Sequence, residues 1–354
     1  MGFGGNCPCT WNSLVSLWYF CSLGILITVF TSRIMRPDTP HNVITIEHSI
    51  CSGGHFFVMS CMTDTLIGMT HAFMADSYIT NTHHTKSRLL LRRMVIFVYL
   101  GLVEQALEDD GMCFDGKPLP NMLSAFCPDP DVEHLPNPAQ MDSLMDLISL
   151  CIIGVLINVL DFRTYTHRAA GKEMSEFEKE QLAKFDCNGL SLSERQACQY
   201  VRGLALQMLR WIDDHYCVKD AEAKTVHGFA FNCLFTFVQA LRTYIKEAEQ
   251  QEGISSAPNC TSVSLDNQIE SLFPPDSPQG VISAQVARNI RELECLLPQT
   301  KEYTVAESKK PEKPVARIPL EEAMLLGETA ADRRFQEGLS TNFAMEGISL
   351  VLEI

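Results

Sequence analysis

The chain has 354 residues, 46% of them hydrophobic and 20% charged, and a formal net charge of −15. That length holds a full core in one large or two modest domains, and that apolar content excludes a chain disordered throughout while falling short of a polytopic membrane protein. The acidic balance excludes a large basic surface built to neutralise phosphates, so any action on nucleic acid would run through another domain or a partner.

From Cys7 to Ser32 there is no Asp, Glu, Lys, Arg or His. About 20 apolar residues in a helix cross a hydrocarbon core, so residues 11–32 are long enough to serve as a membrane anchor. Arg33 and Arg36 follow at once and nothing basic precedes. A cleavable signal peptide is therefore disfavoured, and the positive-inside rule places the N-terminus of such an anchor outside. Asn12, Ser13, Ser16 and Ser22 punctuate the first half, leaving only Leu23 to Phe30 densely aliphatic. The stretch reads equally as an anchor or as the first buried helix of a soluble domain. Met1-Gly2 with Cys7 and Cys9 misses the myristoylation pattern, because Asn6 stands where Ser or Thr belongs.

Further on, strand signals are sparse, and the β-branched NVITI (Asn42 to Ile46) is the best of them. Three apolar runs, Met94 to Val103, Leu147 to Leu160 and Gly228 to Leu241, are each 10 to 14 residues long and bounded by charged residues or histidine. That is the length of buried core helices; a multi-spanning membrane protein would need all three as undersized spans. The proline-rich Gly116 to Gln140 is a loop, and Asp110-Gly111 and Asp115-Gly116 bracket a turn rather than a hairpin between alternating runs. A long amphipathic helix opens at a Ser193 cap, with Ala197, Val201, Leu204, Met208 and Ile212 at helical spacing. SSAPNCTSVSLDNQ (Ser255 to Gln268) marks the end of the helical region, and beyond about residue 250 Pro-rich and charged stretches predict a flexible tail.

The residues that tempt a chemical reading are weak in spacing. Asp109 and Asp110 suggest a magnesium site, but Gly111 tends to end a helix there, and Asp115 stands five residues past Asp110 rather than three. Asp213, Asp214 and Asp220 share the defect, so both groups are expected at solvated helix ends. His55, Asp64, His71, Asp76, His83 and His84 lack i, i+4 ligand pairs. The 14 cysteines are scattered, many in apolar runs and with no C-x-x-C, as free thiols in a reducing compartment would be; Cys7-Pro-Cys9 supplies at most half a metal site. No nucleophile elbow, P-loop, dinucleotide fingerprint or H-E-x-x-H occurs. No residue is assigned a catalytic, cofactor-binding or metal-ligating role, and no cofactor and no enzymatic activity is expected. Asn259-Cys260-Thr261 fits a glycosylation acceptor, Lys309 to Arg317 reads as a charged linker rather than a nuclear import signal, and the terminal LEI would fit a PDZ groove.

A broader pattern emerges from CPDPDVEHL (Cys127 to Leu135), LISLCIIGVLINVLDFRTYTHRA (Leu147 to Ala169) and, some fifty residues later, DHYCVKDAEAKTVHGFAFNCLFTFVQALRTYIKEAEQ. A cysteine-bearing lead-in, an aliphatic helix ending in aromatics, and a tyrosine with an acidic step before a long helix follow in order. In these features, carried by Tyr216, Cys217, Glu222, Val238, Gln239 and Leu241, residues 127 to 246 resemble the C-terminal regulatory domain of fungal transcription factors of the aflatoxin-regulator type. The resemblance implies a nuclear transcriptional regulator or co-regulator of a secondary-metabolite gene cluster, working with protein partners. That family reads DNA through an N-terminal cluster of six cysteines holding two zinc ions, which this sequence does not contain, so direct DNA binding is not expected. The chain would then be a regulatory domain without its reader, a co-regulator, or the product of a truncated gene model. The expected fold is all-α: an apolar N-terminal helix (1–36, buried or anchoring), a helical regulatory domain (37–250) arranged as an irregular bundle, and a flexible tail (251–354). The alternative is a membrane protein anchored by residues 11–32, single- or multi-spanning.

Overall fold

Four consecutive residues, Ser191-Leu192-Ser193-Glu194, decide where the longest helix begins. A computed structural model describes residues 56–75, 85–104, 113–114, 117–118, 135–165, 190–250, 260–293, 303–307, 318–330 and 332–333, all within one unit, Phe56–Ile354. In it the helix cap is Ser191, not Ser193. The Ser191 side chain accepts from the Glu194 amide while the Glu194 side chain accepts from the Ser191 amide, a reciprocal box; Ser193 with Gln196 has the same spacing but lies within the helix.

The helices in chain order are α1 (Met62–Ala75), α2 (Thr85–Leu102), α3 (Met141–Leu156), α4 (Leu192–His215), α5 (Phe229–Gln250), α6 (Ser262–Leu272), α7 (Pro278–Leu293) and α8 (Leu320–Gly327). The three apolar runs fall in α2, in α3 with its following turn, and in α5, and their dense apolar positions form the centre of the core. In α3 every residue from Leu144 to Leu156 is buried, which explains its near-continuous hydrophobicity: α1, α2 and α4 cover it on several sides. Among the described residues no helix is long and apolar enough to cross a membrane. Residues 11–32 and the NVITI run lie outside the described residues.

Two expectations require correction. The fold is mostly helical but not all-α. Tyr216–Lys219 (β3) pairs antiparallel with Thr225–Val226 (β4) on one side and with Thr304–Glu307 (β5) on the other, Tyr216 lying opposite Glu307 and Val218 opposite Val305. A shorter ladder joins Cys113–Phe114 (β1) to Lys117–Pro118 (β2), with Phe114 opposite Lys117. The short strands carry too few residues for a period-2 pattern to register.

The second correction concerns the chain beyond residue 250. Thr261 and Ser264 form a capping box that starts α6 where the sequence reading ended the helical region. Cys260, Leu265, Ile269, Phe273, Val286 and Ala323 are buried in the same core as α3 to α5. Phe273 meets Phe235 edge-on at a ring-centroid distance of 5.0 Å, and α7 packs on α5. Polar residues dominate this region, and the few apolar ones at helical spacing are sufficient because they dock on a preformed face rather than building their own core.

Candidate functional site

The aspartates singled out for metal binding divide into unrelated tasks. Asp213, at the end of α4, is not a solvated helix end: its carboxylate accepts from the amides of Ala230 (2.8 Å) and Phe231 (3.4 Å), capping α5 from another element. Burial pushes its pKa up to about 6, against the two amide hydrogen bonds that favour the charged form. Asp220 instead closes the β3–β4 turn, accepting from the amides of Glu222 (3.0 Å) and Lys224 (2.9 Å). Asp64 lies in the first turn of α1 and His71 farther along it. Among the described residues no group of three His, Cys, Asp or Glu side chains is gathered closely enough to hold a metal ion. Asp109, Asp110, Asp115, His55, Asp76, His83, His84, Cys7, Cys9, the 309–317 linker and the terminal LEI lie outside the described residues.

Of the described cysteines, Cys61, Cys151, Cys198, Cys217, Cys233 and Cys260 carry free thiols. Burial pushes the Cys260 thiol up to about 11 and raises Cys151, Cys198 and Cys233 as well, which keeps them protonated and poorly nucleophilic. Thr261, the hydroxyl residue of the glycosylation triplet, is committed to its cap.

The polar groups that the fold does bring together lie along one side of α4. Asp161, 2% exposed, follows α3 and receives Arg163 through Nη2 (2.8 Å) and Nε (3.2 Å). Arg88 on α2 donates to the Leu160 carbonyl (3.0 Å) and stands 3.7 Å from Asp161. Arg163 continues to Glu194 (2.8 Å). Although burial opposes it, the hydrogen bonds from Ser191 and Arg163 hold the Glu194 carboxyl below its usual range. One chain of charge thus ties α2, the turn after α3 and the first turn of α4.

Two turns along α4, Arg202 is 3% exposed and donates to the Val155 carbonyl (3.2 Å), Asn158 Oδ1 (2.6 Å) and the Gly327 carbonyl (2.6 Å). Burial lowers its pKa and Asp332 offsets the loss of hydration. Asp332 lies 3.5 Å from both Arg195 and Arg202 and caps Thr329, accepting from its amide (3.1 Å) and hydroxyl (2.8 Å). Gln199 Nε2 donates to the Met324 carbonyl (2.9 Å). Between these contacts the helices α4 and α8 touch backbone to backbone: a Cβ on Gly203 would run into the Ala323 carbonyl, and one on Gly327 into that of Gln199.

No protein-family model, curated protein or solved structure matches this chain. The site is therefore read from its own geometry. Its arginines are paired with carboxylates and backbone carbonyls, an arrangement that fixes elements against one another and presents small residues and fixed donors to a helix. The sequence reading missed this group. One signal was present: Thr329-x-x-Asp332 has capping-box spacing.

Proposed function

We propose that the chain is a non-enzymatic regulatory protein, a transcriptional regulator or co-regulator of a fungal secondary-metabolite gene cluster, that acts in the nucleus through protein contacts on an irregular bundle of helices. The observation that supports this reading is that, within the segment resembling the aflatoxin-regulator type, α3, α4 and α5 pack against one another and bury Leu147 to Leu156, Leu204 to Leu209 and Phe229 to Val238 in large part. With no zinc cluster in the sequence, the chain would reach DNA through a partner.

A second reading rests on the charge-free Cys7 to Ser32 stretch: an anchor at residues 11–32 holding the helical unit at a membrane. Fractionation separates the two, using the full chain and a version lacking residues 1–36, with carbonate extraction of the membranes. The regulator reading expects both forms in soluble or nuclear fractions. Carbonate-resistant full-length chain, released by the deletion, would overturn it in favour of the anchored protein.

A further inference from the structure

Helix α2 presents leucines and arginines, and no acid, on the face opposite its core contacts. Leu91, Val95, Val98 and Tyr99 are buried, on the side where α3 and α4 pack. Opposite them, Leu89, Arg93, Ile96 and Leu100 follow one another at helical spacing and form one stripe, with Leu90 and Phe97 along one edge and Arg92 along the other. Leu89 and Leu90 are 38% and 41% exposed, Arg93 is exposed and Arg92 half-buried, and Ile96, Phe97 and Leu100 are only partly covered.

The charge of this face runs against that of the molecule. The chain has 43 acidic residues against 28 basic ones, yet no Asp or Glu falls between Asp76 and Glu104, and α2 carries Lys86, Arg88, Arg92 and Arg93. Arg88 is engaged by Asp161 and the Leu160 carbonyl. Among the described residues, Arg92 and Arg93 enter no ion pair. The Arg92 Nε is enclosed without an acceptor, and Arg92 stands one turn from Arg88, where like charges cost a helix stability. Arg92 is thus partly dehydrated and unpaired, the state in which a charge-assisted hydrogen bond gains most.

We infer that this face of α2 is a docking surface for an acidic amphipathic helix of a partner protein, its apolar side chains on Leu89, Leu90 and Phe97 and its carboxylates on Arg92 and Arg93. The stripe runs straight along α2 for about three turns, the shape on which a second helix packs. An anionic bilayer or a nucleic acid fits the charge less well, because both extend over the rest of a chain whose net charge is −15. Screening within about 10 Å limits what a short acidic helix feels to the cations beside it. The inference rests on the reading that the chain works through protein contacts, and names the chemistry of the partner.

The test is fluorescence anisotropy of the full chain with a labelled synthetic helical peptide of about 15 residues, leucines along one face and glutamates beside them. The same peptide with glutamine in place of glutamate runs in parallel. The glutamate peptide should bind about tenfold more tightly than the glutamine one, and added salt should narrow the gap. Replacing Arg92 and Arg93 together, Arg92→Gln with Arg93→Gln, should weaken it about tenfold. Leu90→Ser should also weaken it, whereas Arg210→Gln, at an exposed arginine of α4, should leave it unchanged. Equal affinity for the two peptides would overturn the charge match, and an effect of Arg210→Gln as large as that of the α2 pair would overturn the assignment to this face. A chain that ignores both peptides but sediments with vesicles of phosphatidylserine and phosphatidylcholine would overturn it in favour of a membrane. A dimer that Leu90→Ser dissociates would give the face to a second copy and overturn it too. Absence of peptide binding by a chain recovered in soluble or nuclear fractions would overturn this surface and leave the regulator reading standing.

Discussion

Asp213 shows how a residue chosen for one chemistry serves another. Its neighbour Asp214 and the later Asp220 made it look like part of an acidic cluster, but the carboxylate spans the corner between α4 and α5 and caps α5. Gly228, at φ 63°, supplies the left-handed turn that leads into α5. Burial sets the sign of its pH dependence. An unfolded chain ionises this carboxyl near 3.8 and the native protein near 6, so the native state holds the extra proton. Its contribution to stability is complete below about pH 4 and is lost as the pH rises to about 6. Asp213→Asn keeps an acceptor at the helix end and removes the titration. Measured by denaturant unfolding, the variant should gain on the natural chain across that window by at most about 3 kcal/mol; a difference that does not change with pH would contradict the burial assigned to this group.

Among the elements, the helices of the interior were the legible part. α3 and α5 announce themselves by length and apolar density, and α4 by its 3.6-residue stripe, because burial and periodicity are both local properties of the sequence. The start of α4 was misplaced by two residues, since Ser191 with Glu194 and Ser193 with Gln196 both carry capping-box spacing. The consequence is measurable: Ser191→Ala should cost about 1 kcal/mol of stability in chemical denaturation, whereas Ser193→Ala should leave it nearly unchanged. A loss confined to Ser193→Ala would return the cap to Ser193. The small sheet and the helices past residue 250 were illegible for a different reason. β5 acquires its partner β3 from far away in sequence, and α6 to α8 depend on docking against faces that no local pattern reveals.

Among the described residues, a mostly helical core is held in register by buried and half-buried charges. Arg163 joins Asp161 to Glu194, and Arg202 joins the turn after α3 to the end of α8. Where these groups are deeply buried, as at Asp161 and Arg202, desolvation offsets much of their attraction. None of these contacts was visible in the sequence, where arginines and carboxylates are too common to signal a pairing across long separations. A net charge of −15 opposes close approach to phosphates over most of a surface. The most direct measurement of the proposed regulatory role is a transcript profile of the native cells after loss of the gene and after its restoration with the full chain. The regulatory account predicts that one contiguous set of biosynthetic genes falls together and recovers together. Unchanged transcripts on loss of the chain would contradict it.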